Sequence, residues 1–323
     1  MTDLKTSSVR MRKAVKKNFS IIVAGPTAVG KTAVAIQLAK WLGTEIVSAD
    51  SRQCYQELSI GVARPSQQEL HAVPHHFIAS HSILHELNAA EYADYALSCL
   101  RSVFQQHNTA VVVGGTGLYI RALTEGLDAM PEVDPAIRTS ILRQYEAFGL
   151  EWLQQQVKEK DPLYYKTGEL QNPQRLMRAL EVVMATGTSI RSFQRGVKAR
   201  QPFESIKIGL ELPRPELVAR IDARVDQMMA EGLLDEVKQL AELLQSQELS
   251  RHAITALKTV GYAELFEYLE GNDSLEQAVE KIKQHTRQYA KRQMTWFRKD
   301  AEISWFHPGD LEGMTHYIGE KIK

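Results

Sequence analysis

The segment Gly25-Pro26-Thr27-Ala28-Val29-Gly30-Lys31-Thr32 limits what this chain can fold into more than any other. It follows a short apolar run, Ser20 to Ala24, and precedes TAVAIQLAKWL, whose apolar residues recur at helical spacing until Gly43. Strand, glycine loop and helix in that order are the context that gives the pattern G-x-x-x-x-G-K-[ST] its mechanism. The glycines let backbone amides point inward, and the helix N-terminus adds positive potential. Lys31 neutralises phosphate charge, and the Thr32 hydroxyl can ligate Mg²⁺. A chance glycine-rich turn is the competing reading, disfavoured by the flanking strand and helix. The loop alone would hold a nucleoside triphosphate or any other diphosphate.

A second strand is predicted at Glu45 to Ala49 and a third at Ala110 to Val113, after a helix over Ala89 to Gln106. Short buried strands alternating with helices predict an α/β fold, a P-loop NTPase-like parallel sheet flanked by helices. Residues 134–195 show only helical periodicity, broken at Gly149, Asp161-Pro162, Asn172-Pro173 and Gly187. Strand character returns at Ser205 to Leu212. Pro213 and Pro215 then open a long helical stretch through Met228, Leu234 and Leu240. The expected domains are an α/β core over 18–126 and 201–323, an all-helical insertion over 127–200, and a basic extension, 1–17, read as a flexible tail.

Enzymes of this fold that hydrolyse nucleotides usually end a later strand in Asp to help hold the metal. Here Val111-Val112-Val113 runs into Gly114-Gly115-Thr116-Gly117, and the acid instead ends the second strand, as Asp50. Strand carboxyl ends face the binding crevice of an open α/β sheet, so Asp50 should share a mouth with the phosphate loop. A carboxylate there can accept a proton or bind a metal's water. Its bland reading is a turn former.

Charge narrows the partners. Lys plus Arg and Asp plus Glu both number 39, which argues against coating nucleic acid or membrane by bulk charge, but averages conceal patches. Residues 281–299 hold seven Lys or Arg and no acid, with Tyr289, Trp296 and Phe297 interleaved. At about 100° per residue, Lys283, Arg287, Lys291 and Arg298 share one sector, and Ile282, Tyr289 and Trp296 lie opposite. One face is expected to bind and the other, Trp296 included, to pack. Cys54 and Cys99 are the only cysteines, without partners at zinc-ligand spacing. No apolar run approaches the ~18–20 residues of a membrane span and no hydrophobic signal opens the sequence, so a cytoplasmic location is expected.

GPTAVGKT, SADSRQCYQELSIGVARP, VGGTGLYIRAL, NPQRLMRALEV and TRQYAKRQMTWFRK, in this order, resemble the tRNA dimethylallyltransferases, also called tRNA isopentenyltransferases, over nearly the whole chain. The resemblance implies Mg²⁺-assisted transfer of a dimethylallyl group from dimethylallyl diphosphate to the exocyclic N6 amine of the adenosine 3′ of the anticodon (position 37). The tRNAs would be those reading codons that begin with U, and pyrophosphate would be released. A diphosphate leaving group accounts for a phosphate loop with no water-activating acid on the third strand.

The resemblance also implies roles, carried onto matching positions. Gly25 to Thr32 would bind the diphosphate, with Thr32 on Mg²⁺. Asp50 would accept the amine's proton from a flipped base. Thr27, Lys31, Thr32, Thr116 and Arg220 complete the implied catalytic set, Arg220 reaching the pyrophosphate. Asp50, Ser51, Arg52, Gln53 and Thr116 would contact the tRNA, as would Arg138, Gln174, Arg175, Leu176, Met177, Arg178, Lys258, Lys291, Arg292, Gln293, Trp296 and Arg298. Asn172 should cap a helix with Pro173 in its first turn, leaving Arg175 and Arg178 on one face. The family pattern implies a monomer. For Arg220, an ion pair with Glu216 is the bland alternative.

Three departures stand out. Cys54 replaces a common valine, and Ser59 and Val62 interrupt a run that the family writes aspartate-isoleucine-glycine-threonine-alanine-lysine, its last position being Arg64 here. His75-His76 is read as structural. Two other classes compete: a small-molecule kinase, which leaves the basic helical blocks unexplained, and a non-catalytic RNA-binding protein. Asp50 discriminates among the three.

Overall fold

The computed structural model describes residues 17–196 and 198–323. Residues 1–16, most of the expected flexible extension, lie outside the described residues. The strands are β1 (Phe19–Ala24), β2 (Ile46–Ser48), β3 (His75–His76), β4 (Thr109–Gly114), β5 (Glu204–Leu210) and β6 (Ser304–Phe306). They form one sheet in the order β3-β2-β4-β1-β5-β6, every pairing parallel. The α/β class with a parallel sheet is therefore as the sequence predicts.

Helices cover both faces, which is why the central strands read as unbroken apolar runs. Ile21 and Val23 of β1 pack with Val34 and Leu38 of α1 (Lys31–Leu42) on one side. Ile22 and Ala24 point to the other, toward Val112, Leu100 and Tyr92. Each such fully buried aliphatic stabilises by roughly 1.5–3 kcal/mol. The remaining core helices before the insertion are α2 (Gln67–Ala72), α3 (Ala89–Gln106) and α4 (Gly117–Glu125).

Contacts divide the chain into two compact units, with Glu125–Arg200 as the second. That unit holds α5 (Pro135–Lys160), α6 (Pro162–Thr167) and α7 (Pro173–Thr186) around Leu153, Val157, Tyr164, Leu176 and Leu180. Gly149, at φ 73°, breaks the helical path within α5. Asn172 caps α7 by accepting the Arg175 N–H at 3.2 Å, with Pro173 next in line.

The core resumes with α8 (Arg214–Ala230), α9 (Leu233–Ser246), α10 (Tyr262–Leu269), α11 (Leu275–Phe297) and α12 (Leu311–Ile322). The single helical stretch expected after Pro215 is two helices, because Gly232 at φ 99° turns the chain between them. Strands β3 and β6, two and three residues long, were not foreseen: neither carries enough residues for a period-2 pattern. No helix among the described residues is long and apolar enough to cross a membrane.

Candidate active site

Three connections leave the carboxyl edge of the sheet side by side: the phosphate loop after β1, Asp50 after β2 and the glycine turn after β4. Gly30 enters α1 at φ 103°, a left-handed conformation that favours glycine, and Ala28 adopts φ 64° without that freedom. Lys31 Nζ folds back to donate to Pro26 O at 2.7 Å. Burial pushes its pKa down to about 8, with Asp50 opposing the shift and Arg224 adding to it. Lysine, carboxylate and arginine thus sense one another across the mouth.

Asp50 Oδ1 accepts the N–H groups of Arg52, at 2.9 Å, and Gln53, at 3.3 Å. This is the turn-forming role, but it does not exhaust the residue, because Asp50 also lines two cavities. The first, about 490 Å³, is walled by Thr27, Gly30, Lys31, Thr32, Glu69 and Arg224 among others. The second, about 340 Å³, is walled by Arg52, Lys258, Val260, Ile282 and Tyr289. Thr27, Asp50, Val62, Ala63, Arg224 and Met228 line both. Thr116 Oγ1 accepts the Ser51 N–H at 3.0 Å and bonds Ser51 Oγ at 3.2 Å, joining the glycine turn to the Asp50 segment.

The segment Ser59 to Arg64, whose Val62 and Ala63 line both cavities, is held from behind. Glu236 accepts the amides of Ser59, Ile60 and Gly61 and the Tyr262 hydroxyl. Arg64 Nη2 donates to the carbonyls of Tyr55, Gln56 and Leu58. At Val62, where the family's hydroxyl is absent, Gln53 Nε2 bonds the backbone carbonyls of Val62 and Ala63 instead. Sequence reasoning missed Glu236; an acid in the first turn of an amphipathic helix reads only as a dipole partner. Buried Cys54 has its thiol pKa pushed up to about 12 by burial and the Asp50 charge, which leaves it unreactive.

The structure shows what several of the expected contact residues touch. Arg220 forms the ion pair with Glu216, at 2.9 Å, although its guanidinium stays beside Gly30. Arg224, one turn on, is the arginine lining both cavities. Gln293 is buried, accepting the Thr27 N–H at 2.8 Å and donating to Gly115 O at 2.9 Å, so its amide faces the loops and not an RNA. Trp296 is 36% exposed, not core. Within the insertion, Leu176 and Met177 are buried in its core, which removes their side chains from an RNA surface.

The expected binding face of α11 is partly spent on ion pairs. Lys283 bonds Asp226 at 2.6 Å, and Arg287 forks onto both Asp222 oxygens at 2.9 Å. Asp222 and Arg224, two apart on α8, project to opposite sides, one toward α11 and one into the cavities. Lys291, Arg292 and Arg298 remain exposed, with Arg292 over the Tyr289 ring and Arg298 3.3 Å from Glu211. Lys258 is exposed at the second cavity. In the insertion, Gln174 and Arg175 are exposed, while buried Glu181 holds Arg178 at 3.2 Å with Arg138 at 3.9 Å.

Residues 53–300 match the family model for IPP transferase. A tRNA dimethylallyltransferase of Cytophaga hutchinsonii is 44% identical, the alignment covering 94% of this chain and 98% of that protein. The crystal structure of the full-length tRNA isopentenylpyrophosphate transferase from Bacillus halodurans superposes with a TM-score of 0.70 at 32% identity, covering 95% and 97% of the two chains. A eukaryotic dimethylallyltransferase acting on tRNA shares the fold at a TM-score of 0.73 and 24% identity, covering 94% of this chain and 77% of that one.

Proposed function

This chain belongs to the IPP transferase family, with the tRNA dimethylallyltransferases as its relatives, and from that premise we propose that it moves a dimethylallyl group from dimethylallyl diphosphate onto the N6 amine of adenosine 37 of tRNA. One observation carries this reading: Asp50 lines both the cavity built on the phosphate loop and the one bordered by Lys258 and Tyr289. A donor in the first and a flipped adenine in the second would meet at that carboxylate.

In this reading the loop amides, Lys31 and Arg224 bind the diphosphate and stabilise charge gathering on the leaving oxygen. The N6 nitrogen attacks C1 of the prenyl chain, and the C1–O bond breaks with its electron pair leaving on pyrophosphate. Asp50 takes the proton that the nitrogen loses. Its Oδ1 is engaged by two backbone amides, which fixes the carboxylate while Oδ2 receives the proton. Arg138, Gln174, Arg175 and Arg178 of the insertion, and Lys258, Lys291, Arg292 and Arg298 of the core, would hold the tRNA, chiefly by its phosphates.

The donor set suits Mg²⁺. The Thr32 hydroxyl, a hard oxygen ligand, lines the first cavity beside the carboxylates of Asp50 and Glu69, whose charge favours a cation there. Among the described residues no three His, Cys, Asp or Glu side chains cluster to cage a metal, so diphosphate and water would supply the other ligands, as Mg²⁺ prefers. When bound, the ion would neutralise charge on the departing pyrophosphate.

The test is nucleoside mass spectrometry on unmodified anticodon stem-loop RNA incubated with the protein, Mg²⁺ and dimethylallyl diphosphate, beside an ATP-only arm. Dimethylallyladenosine at position 37 is expected. Phosphate transfer from ATP without that product would put a kinase in its place.

A further inference from the structure

The glycine turn after β4 would ordinarily be credited to a ligand's close approach, yet two of its glycines make room for α11. A Cβ on Gly115 would strike the Gln293 amide, and one on Gly117 would strike the Trp296 indole. Gln293 and Trp296 are three apart, on one face of the helix. The helix that carries exposed Lys291, Arg292 and Arg298 is therefore seated directly on the turn, and Gln293 reaches past it to the phosphate loop.

We infer that Gln293 is a positioning residue that holds the phosphate loop and the glycine turn in register for diphosphate binding, and is not an RNA contact. Thr27 N–H can only donate and Gly115 C=O can only accept, so the bridging side chain must offer one acceptor and one donor about two bonds apart. A primary amide does both. A carboxylate satisfies Thr27 but sets an oxygen against Gly115 O, and a thioether satisfies neither. Both bonds span the sequence, over 266 and 178 residues, and the side chain is 6% exposed, so leaving either loop group unmet inside the fold is costly. The cost falls on the loop's bound geometry, because Thr27 belongs to the segment that would wrap the diphosphate. The inference rests on the reading of this loop as diphosphate-binding.

Binding measurements separate it from the activity. Isothermal titration of wild type and Gln293→Met with inorganic pyrophosphate and Mg²⁺ should show affinity lost by about five- to tenfold in the variant, as one or two hydrogen bonds imply. Affinity for an anticodon stem-loop, followed by fluorescence anisotropy, should stay unchanged. Gln293→Glu supplies the readout a merely structural role would not move. Protonated, its carboxyl can donate to Gly115 and accept from Thr27, so pyrophosphate affinity relative to wild type should recover as pH falls from about 8 to 5.5. Weakened RNA binding with pyrophosphate affinity intact in Gln293→Met would overturn the inference, as would a Gln293→Glu ratio that does not change with pH. A wild type that binds pyrophosphate yet makes no prenylated adenosine would instead defeat the function proposed above and leave this comparison readable.

Discussion

Thr116 Oγ1 accepts the backbone N–H of Ser51 at 3.0 Å, across 65 residues of sequence. Ser51 follows Asp50, so the threonine hydroxyl sets the direction in which the strand end presents its carboxylate. Thr116→Val keeps the shape and removes the acceptor, leaving a partly buried N–H unmet at a cost of about 1–3 kcal/mol. Turnover is expected to fall by roughly ten- to a hundredfold, with Thr116→Ser retaining most of it. Steady-state kinetics on the two variants check this; a Thr116→Val enzyme that turns over like wild type while Thr116→Ser loses activity would assign the role to the methyl group.

Lys31 makes donor binding pH-dependent. Its pKa is lowered to about 8, so the cation that meets the diphosphate is present below pH 8 and lost above it. The KM for dimethylallyl diphosphate should stay level below about pH 7 and rise up to tenfold per unit above 8. Lys31→Arg, whose guanidinium keeps its charge, should bind less well but show no such rise between pH 7 and 9. A wild-type KM that is flat through pH 9 would contradict a lowered pKa for Lys31.

Arg178→Ala should weaken stem-loop RNA binding and lower the slope of log affinity against log salt by about one, the signature of one lost phosphate contact. The change also leaves buried Glu181 with Arg138 alone, 3.9 Å away, so thermal stability should fall as well, and the salt slope is what reads the RNA contact. A salt series with an unchanged slope would return this arginine to a solvated helix face.

Gly114→Ala tests the close approach of β2 and β4. The added Cβ would enter the Ala49 carbonyl group, next to Asp50, and overpacking there costs about 1–3 kcal/mol. A melting temperature lower by a few degrees and a loss of turnover larger than that melting shift explains are expected. Calorimetry and initial rates on the same preparation give both.

What was legible in the sequence follows physical range. The β1–loop–α1 unit and Asp50 at a strand end are local patterns, set by periodicity and by a glycine spacing with one mechanical use. The start of α3, expected at Ala89, is where Asn88 caps the helix through the Ala90 and Glu91 amides. The inward turn of Gln293 was not legible, because nothing about a glutamine among lysines and arginines signals two partners hundreds of residues away. The pairing of Lys283 and Arg287 failed for the same reason: a helical wheel sorts one helix's side chains, and Asp222 and Asp226 sit on another. Arg220 and Arg224 lie four apart on one helical face, so only three-dimensional packing separates the cavity-lining arginine from the one paired with Glu216.

The most direct measurement is the single-turnover rate of Asp50→Asn with donor and stem-loop RNA both saturating. Asparagine keeps an oxygen for the Arg52 and Gln53 amides, preserving the turn, but cannot take the proton. The expected result is a rate lower by roughly 10²–10⁴-fold with RNA affinity unchanged. A rate close to wild type would contradict the assignment of Asp50 as the proton acceptor where the two cavities meet.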